Sequence, residues 1–305
     1  MLDPVSLADL TYLFRRNSGL VDSSGAARPA VAQAMAVPGP ADATSKLAVT
    51  TPHGEAVFVT VSGDGNPDLV ARAVRNIRQI RAHLSALSAG PIVEPLQTGE
   101  VRGRSFAIWP MLGQFPEGRV KRYLVKRALR QQVLDWLASL LIETKAETDA
   151  QERDAIARNL TRMAEDTKHP DSLRRAAAQA NERLADGRWV PVTCVQHSDL
   201  WLGNIMIAPP GSPQPFSVID WAGASSRGFP FFDLCRFAIS SNAPSRLVAT
   251  HVGRQRRILE ADRADVVSYV LSALGQMQSD LEHFPEELFR SMGSETTEFA
   301  QQFSQ

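Results

Sequence analysis

Strand-like runs crowd into the first third of this chain and helical runs fill the rest, and that segregation decides what the chain can fold into. From Lys46, KLAVTT and EAVFVTVS carry β-branched and aromatic residues on either side of Pro52, His53 and Gly54, the pattern of two strands joined by a turn. After GDGNPD, Asp68 can cap a helix whose apolar stripe runs through Val70, Val74, Ile77, Ile80, Leu84 and Leu87. Strands are expected again at PIVEPLQTGEV and RSFAIWPML, the latter ending at Gly113. From about Arg119 the reading is helical, through VKRYLVKRALRQQVLDWLASLLIETKA and then the Ala- and Arg-rich stretch from Gln151 to Ala185. Turn signals at Lys168–Pro170 and Asp186–Gly187 punctuate these helices. Two short strand-like runs, VPVTCVQ and FSVID, interrupt them, and Asp233 to Gln305 is mainly helical. Residues 1–45 hold a short amphipathic stretch from Leu7 to Phe14 and then irregular connections through SSGAARP and VPGPADATS. The expectation is an α+β fold in two lobes, a small sheet-plus-helix lobe over 1–113 and a larger, mainly helical lobe over 114–305.

Composition excludes several classes. Among 305 residues, 33 Lys plus Arg balance 33 Asp plus Glu. A nucleic-acid binder needs a surplus of cations for phosphate contacts, so none is expected as a partner. No apolar run approaches the ~20 residues of a spanning helix, and the opening MLDPVSLADL lacks a basic stretch, so no membrane partner and a cytoplasmic location are expected. Cys194 and Cys235 lack zinc-ligand spacing and sit among apolar neighbours, as core residues do. Oligomeric state is left open.

The chemistry concentrates in HSDLWLGNIMI and FSVIDW, which hold His197, Asp199, Asn204 and Asp220. A carboxylate on a loop, an amide five residues later and a second carboxylate 16 residues beyond suit a hairpin that converges oxygen ligands on one point. Mg²⁺ prefers such ligands, completed by water and nucleotide phosphates. Phosphoryl transfer needs that arrangement together with a carboxylate that orients the acceptor hydroxyl and takes its proton.

These residues resemble the H-x-D-x-x-x-x-N loop and following I-D-W of the aminoglycoside phosphotransferase and choline kinase-like family, a branch of the protein-kinase-like fold. The resemblance implies Asp199 as catalytic base or hydroxyl positioner, Asn204 and Asp220 as Mg²⁺ ligands, and His197 as a structural residue that pins the loop. It implies that Asp233, in FPFFDLCRF, braces the catalytic loop through backbone hydrogen bonds. Hairpin, helix, linker strand, helical insert, catalytic loop and C-terminal helices follow the family's order. The implied reaction moves the γ-phosphoryl group of ATP or GTP to a hydroxyl of a small molecule.

The chain departs from the family in its first lobe. An active member carries a Lys on the second hairpin strand, paired with a Glu on the next helix. Here the matching positions are Thr60 and Asn76, and no acidic residue occurs between Asp68 and Glu94. The nearest substitute for a phosphate loop is Pro38-Gly39-Pro40. Loss of one preorganised donor costs ~3 to 4 kcal/mol, so turnover can survive it. Lys46 on the neighbouring strand is the first candidate cation, with Arg75 or Arg78 on the helix next, although an Arg series opposite an apolar stripe reads first as a solvated face. Trp109 and Met111 fall where the family's interlobe hinge would contact a purine, set against simple core packing of Phe106, Ile108 and Met111. Trp201 and Trp221 flank the proposed site and could stack on substrate or bury against the C-terminal helices. The basic run Arg119, Lys121, Arg122, Lys126, Arg127 and Arg130 reads as a solvated face or an anion-attracting surface, and it argues against an aminoglycoside acceptor. The missing Lys and Glu also motivate a second expectation, a weak or inactive kinase-like protein that acts as a nucleotide-binding scaffold or regulator. A protein kinase fits less well, because I-D-W and the long insert from Glu117 to Arg188 belong to the small-molecule branch.

Overall fold

A computed structural model of the chain describes residues 30–34, 44–50, 56–208, 211–279 and 285–304. The expected amphipathic stretch at Leu7–Phe14 and the turn at Pro38–Pro40 lie outside them. The chain forms two compact units. One comprises the described residues up to Arg78 together with Ile92–Gly113, and the other Gln79–Pro91 together with the residues from Gln114 onward.

The first unit is a five-stranded antiparallel sheet with the order β1-β2-β3-β5-β4. Its strands are β1 (Ala30–Ala34), β2 (Ser45–Thr50), β3 (Ala56–Val61), β4 (Gln97–Val101) and β5 (Arg104–Pro110). β1 falls in a stretch expected to be irregular, for AVAQA is short and small-sided and is recruited by pairing with β2. The β2–β3 hairpin is as expected, and its pairing sets Lys46 opposite Thr60 and Val49 opposite Val57. Because side chains alternate across a strand, Leu47, Val49, Val57, Val59, Val61, Phe106 and Ile108 fall on one face and pack as a buried cluster.

The other face takes helix α1 (Leu69–Arg81), whose Val70 and Val74 pack on Ala107 and Trp109. Two buried serines dock its start: Ser62 Oγ accepts from the Val70 N–H, Ser105 Oγ accepts from the Ala71 N–H and donates to the Pro67 carbonyl, and the two hydroxyls lie 2.8 Å apart. They satisfy amide groups that a helix start leaves without intrahelical partners. The helix ends at Arg81, short of the expected Leu87. Ser85 stops it by capping the next short helix, α2 (Ala86–Ala89).

That α2 segment belongs to the second unit, a departure from a single division at residue 113. Glu143 accepts from the Ser85 N–H and from the hydroxyls of Ser85 and Ser88, and the Trp136 indole N–H donates to the Ser88 carbonyl. The Val218 N–H donates to the Pro91 carbonyl. The expected strand PIVEPLQTGEV is reduced to β4, since Pro91 and Pro95 cannot donate to a ladder.

The second unit is mainly helical. α3 (Arg119–Thr144) is exposed over its first turns, Val120, Tyr123 and Leu124 included, and buries Leu129 to Leu141. Its basic run therefore sits largely on a solvated stretch, with Arg130 Nε donating to the Ser241 carbonyl. α4 (Ala150–Glu165) starts on a reciprocal cap between Asp149 and Glu152 and packs against α5 (Asp171–Ala185). The short β6 (Ala146–Glu147), β7 (Val192–Gln196) and β10 (Ser225–Gly228) make one antiparallel sheet, and β8 (Ile205–Ile207) with β9 (Phe216–Val218) makes a hairpin. Helices α6 (Phe232–Ser241), α7 (Ser245–Leu259), α8 (Asp265–Ser279) and α9 (Glu286–Gln301) complete the chain. α8 is buried along most of its length and packs on α4, α5 and α9. Cys194 and Cys235 are buried free thiols, as expected. Among the described residues no helix is long and apolar enough to cross a membrane.

Candidate active site

The loop that leaves β7 is tied down from three sides. Asp233, in the first turn of α6, accepts the His197 N–H at 2.6 Å on one carboxylate oxygen and the Ser198 N–H at 3.0 Å on the other. Seven residues along the same helix, Ser240 Oγ accepts the Leu202 N–H at 3.0 Å. Gln196 holds the near end: its amide donates to Ser198 Oγ, and its carbonyl accepts from the Phe229 N–H.

His197 is the pin between this loop and the β8–β9 hairpin. Its Nε2 lies 2.9 Å from the Ile219 carbonyl, and its Nδ1 accepts the Asp199 N–H at 3.3 Å. One nitrogen must donate while the other accepts, which assigns the neutral Nε2–H tautomer. The ring stacks edgewise on Trp221 at 4.6 Å, and burial pushes its pKa down to about 4 against the smaller pull of the Ile219 carbonyl and Asp220. A neutral, buried imidazole with both nitrogens engaged holds geometry and has no proton to offer near pH 7.

Asp199 projects from the pinned loop. The Asn204 amide donates to the Asp199 carbonyl at 2.8 Å and to its carboxylate Oδ2 at 3.0 Å. Both amide hydrogens are thereby spent on one residue, and no hydrogen bond among the described residues engages Asn204 Oδ1. The 3-10 turn Leu202–Asn204 brings the two residues together, and the Asn204 carbonyl accepts the Ile219 N–H, which brings the I-D-W segment alongside. Asp220 is exposed and takes left-handed backbone, φ 70°, as do Ser198 at 71° and Phe231 at 67°. Such a conformation costs a non-glycine residue about 1 kcal/mol and tends to collect at functional sites.

The electrostatics follow from this crowding. Desolvation raises the Asp199 carboxyl above the ordinary carboxylate range, the like charge of Asp220 adds to it, and the Asn204 amide and Arg236 pull the other way. Burial likewise pushes Asp233 up to about 7, opposed by its two backbone donors and by Arg236. A carboxylate raised in this manner is a better proton acceptor than a solvated one.

The donor set suits a hard divalent cation bound partly through a substrate. No group of three His, Cys, Asp or Glu side chains that could hold a metal occurs among the described residues. One carboxylate and one amide oxygen are what Mg²⁺ takes from a protein when phosphates and water supply the rest. Asn204 and Asp220 could hold it on those terms.

The structure brings His197, Asp199, Asn204, Asp220 and Asp233 into one constellation within the second unit. Lys46, Trp109 and Met111 lie in the first. Lys46 is half-buried on β2. The Trp109 indole donates to Thr60 Oγ1 at 2.9 Å and packs on Val70 and Val74, so this ring belongs to the packing of its own unit. Met111 is exposed, whereas Phe106 and Ile108 are core. Trp221 is buried against His197 and Trp136, away from the role of a substrate platform, while Trp201 is 45% exposed with its ring over Gly203. Arg75 and Arg78 are exposed on α1.

Sequence reasoning missed Arg236. It falls on the α6 stripe between Asp233 and Ser240, the two residues that anchor the loop, and its charge is felt by both Asp199 and Asp233. Only the i, i+3, i+7 spacing could have flagged it, once that helix was placed under the loop.

Comparison with known proteins agrees with this architecture. The crystal structure of LicA in complex with AMP superposes with a TM-score of 0.54 at 14% identity, over 96% of this chain and 99% of that one. The macrolide 2'-phosphotransferase MphH from Brachybacterium faecium gives 0.54 at 15% identity, over 96% and 98%. The GDP complex of an aminoglycoside 2'-phosphotransferase-IIIa mutant gives 0.53 at 12% identity, over 96% and 97%. These likenesses establish the protein-kinase-like fold. No curated protein sequence matches the chain. The profile of the phosphotransferase enzyme family matches residues 36–266, three quarters of the chain and the whole of the constellation, and the chain belongs to that family.

Proposed function

We propose that the protein transfers the γ-phosphoryl group of ATP or GTP to a hydroxyl of a small molecule, with Mg²⁺. The observation that carries this reading is the Asn204 amide clamping both the backbone and the carboxylate of Asp199. That clamp orients one carboxylate for an acceptor hydroxyl and leaves the amide oxygen for a cation. Asp199 Oδ accepts the hydroxyl proton as the acceptor oxygen attacks the γ-phosphorus and the β–γ bridging oxygen leaves with ADP or GDP, and its desolvation strengthens it as a base. Asn204 Oδ1 and Asp220 would hold Mg²⁺, which would neutralise charge on the β and γ phosphates. Asp233 and His197 keep the loop rigid and touch no reacting atom. We read the first unit as the nucleotide-binding part, with Met111 and the end of β5 for the base, and the second as the catalytic part. The AMP and GDP held by two of the structural relatives support a nucleotide donor.

Calorimetric titration with ATP and GTP, with and without Mg²⁺, tests the reading. Metal-dependent binding that disappears in Asp220→Ala is the expected result. A folded protein that binds neither nucleotide would sink it. A weak or inactive nucleotide-binding scaffold is the second reading, favoured by one observation: Thr60, where the family keeps its Lys, spends its hydroxyl oxygen on Trp109. Under that reading nucleotide binds, and Asp199→Asn changes no phosphoryl transfer to any of a panel of small hydroxyl compounds.

A further inference from the structure

The phosphotransferase reading leaves the first unit without its usual phosphate-holding cation, and the inference that follows rests on that reading. We propose that Lys46 supplies this cation from the neighbouring strand, holding a phosphate of the donor nucleotide across the sheet from Thr60.

Three observations converge on Lys46. Register comes first: it is directly opposite Thr60 in the β2–β3 pair, as Ala48 is opposite Phe58, while Thr60 in turn faces Ala107 and Phe58 faces Trp109 on β5. Residues directly opposite in an antiparallel pair have Cα atoms about 5 Å apart and side chains on the same face. A lysine stem is longer than that offset, so its ammonium reaches the space that a lysine at 60 would reach.

The inventory of charge comes second. Among the described residues of the five strands the basic side chains are Lys46 and Arg104. Arg104 alternates with Ser105, Ala107 and Trp109, which puts it on the opposite face, where it lies 3.4 Å from Asp64. Arg75 and Arg78 are exposed and off the α1 stripe that meets the sheet, and Arg81 donates to the Ala89 carbonyl. Lys46 is thus the basic side chain that the strands place on the α1 side of the sheet, while α1 itself carries the half-buried Arg72.

Surroundings come third. Lys46 and Thr60 are both half-buried, and an ammonium in partly desolvated ground attracts phosphate more strongly than one in water. The Trp109 indole donates to Thr60 Oγ1, which commits that oxygen as an acceptor and leaves the hydroxyl hydrogen to donate. A lysine and a hydroxyl donor side by side, with Ala48 and Ala107 adding little bulk, make a cradle for an anionic oxygen.

The experiment moves the charge back across the strand. Mg²⁺ with ATP or GTP is titrated into the wild type, Lys46→Met, Lys46→Gln and the double variant Lys46→Met with Thr60→Lys, with folding checked by thermal midpoint. Both single variants are expected to weaken binding roughly ten- to a hundredfold, the loss of one charge-assisted contact, and the double variant to recover to within about threefold of wild type. Recovery is the result a purely structural lysine would not give. Unchanged binding in the single variants, or a folded double variant that stays weak, overturns the assignment while the phosphotransferase reading stands. A wild type that binds neither nucleotide overturns both.

Discussion

His197 shows how much one side chain can be asked to do without chemistry. Its Nδ1 and Nε2 join the loop after β7 to the I-D-W segment, and burial holds it neutral with a pKa of about 4. An unfolded histidine near 6.5 takes up a proton that the folded one refuses, so this group's contribution to stability is full above that value and is lost as pH falls toward 4. The size is about 3 kcal/mol for a shift of this extent. Asp233 slopes the other way: its raised carboxyl pKa favours the fold at low pH, and that contribution fades as pH climbs toward about 7. The wild-type profile mixes both, so the measurement is the difference between wild type and His197→Asn in urea denaturation. The gap should shrink by about 3 kcal/mol between pH 7.5 and pH 4; a constant gap would mean that His197 titrates normally. At this scale the motif residues were legible, because spacing alone set Asp199, Asn204 and Asp220 apart from the rest. Arg236 was not, because its relation to Asp199 passes through a helix that returns under the loop from more than thirty residues on.

At the scale of elements, the floor of the site is the pairing of β7 with β10. Gly228 pairs with Cys194 there, past a shift in register, and a Cβ on it would stand 2.3 Å from Gln196 Cβ and 2.7 Å from its Oε1. Gln196 cannot move aside, since it is buried and bonded to both Phe229 and Ser198. Gly228→Ala should therefore part the two strands at a cost of roughly 1 to 3 kcal/mol by denaturation, the usual range for overpacking. A variant as stable as wild type would show that the strand pair has slack. Strands and helices with strong periodicity, such as β3 and α1, were legible from residue pattern. The ends of elements were not: α1 stops at Arg81 because Ser85 and Glu143 hold the following turn, a contact 58 residues apart in the chain. β1 was missed because AVAQA is stabilised by its partner strand, with little propensity of its own.

For the molecule as a whole, the charge balance has a consequence in solution. With 33 basic and 33 acidic residues, net repulsion between molecules vanishes near the isoelectric point of about 7.0. Self-association measured by light scattering at low salt should peak near pH 7 and fall at pH 5.5 and 8.5; a flat profile would mean that surface patches, and not net charge, govern association. Family and fold class were both determined by the sequence, because hydrophobic periodicity and short spacings are local properties of a chain. What tertiary structure alone decided was pairing: that Gln79–Pro91 joins the second unit, that Trp109 spends its indole on Thr60, and that Lys46 stands opposite Thr60. Each depends on strand register or on contacts between distant segments, and a one-residue slip in register would turn Lys46 to the other face of the sheet.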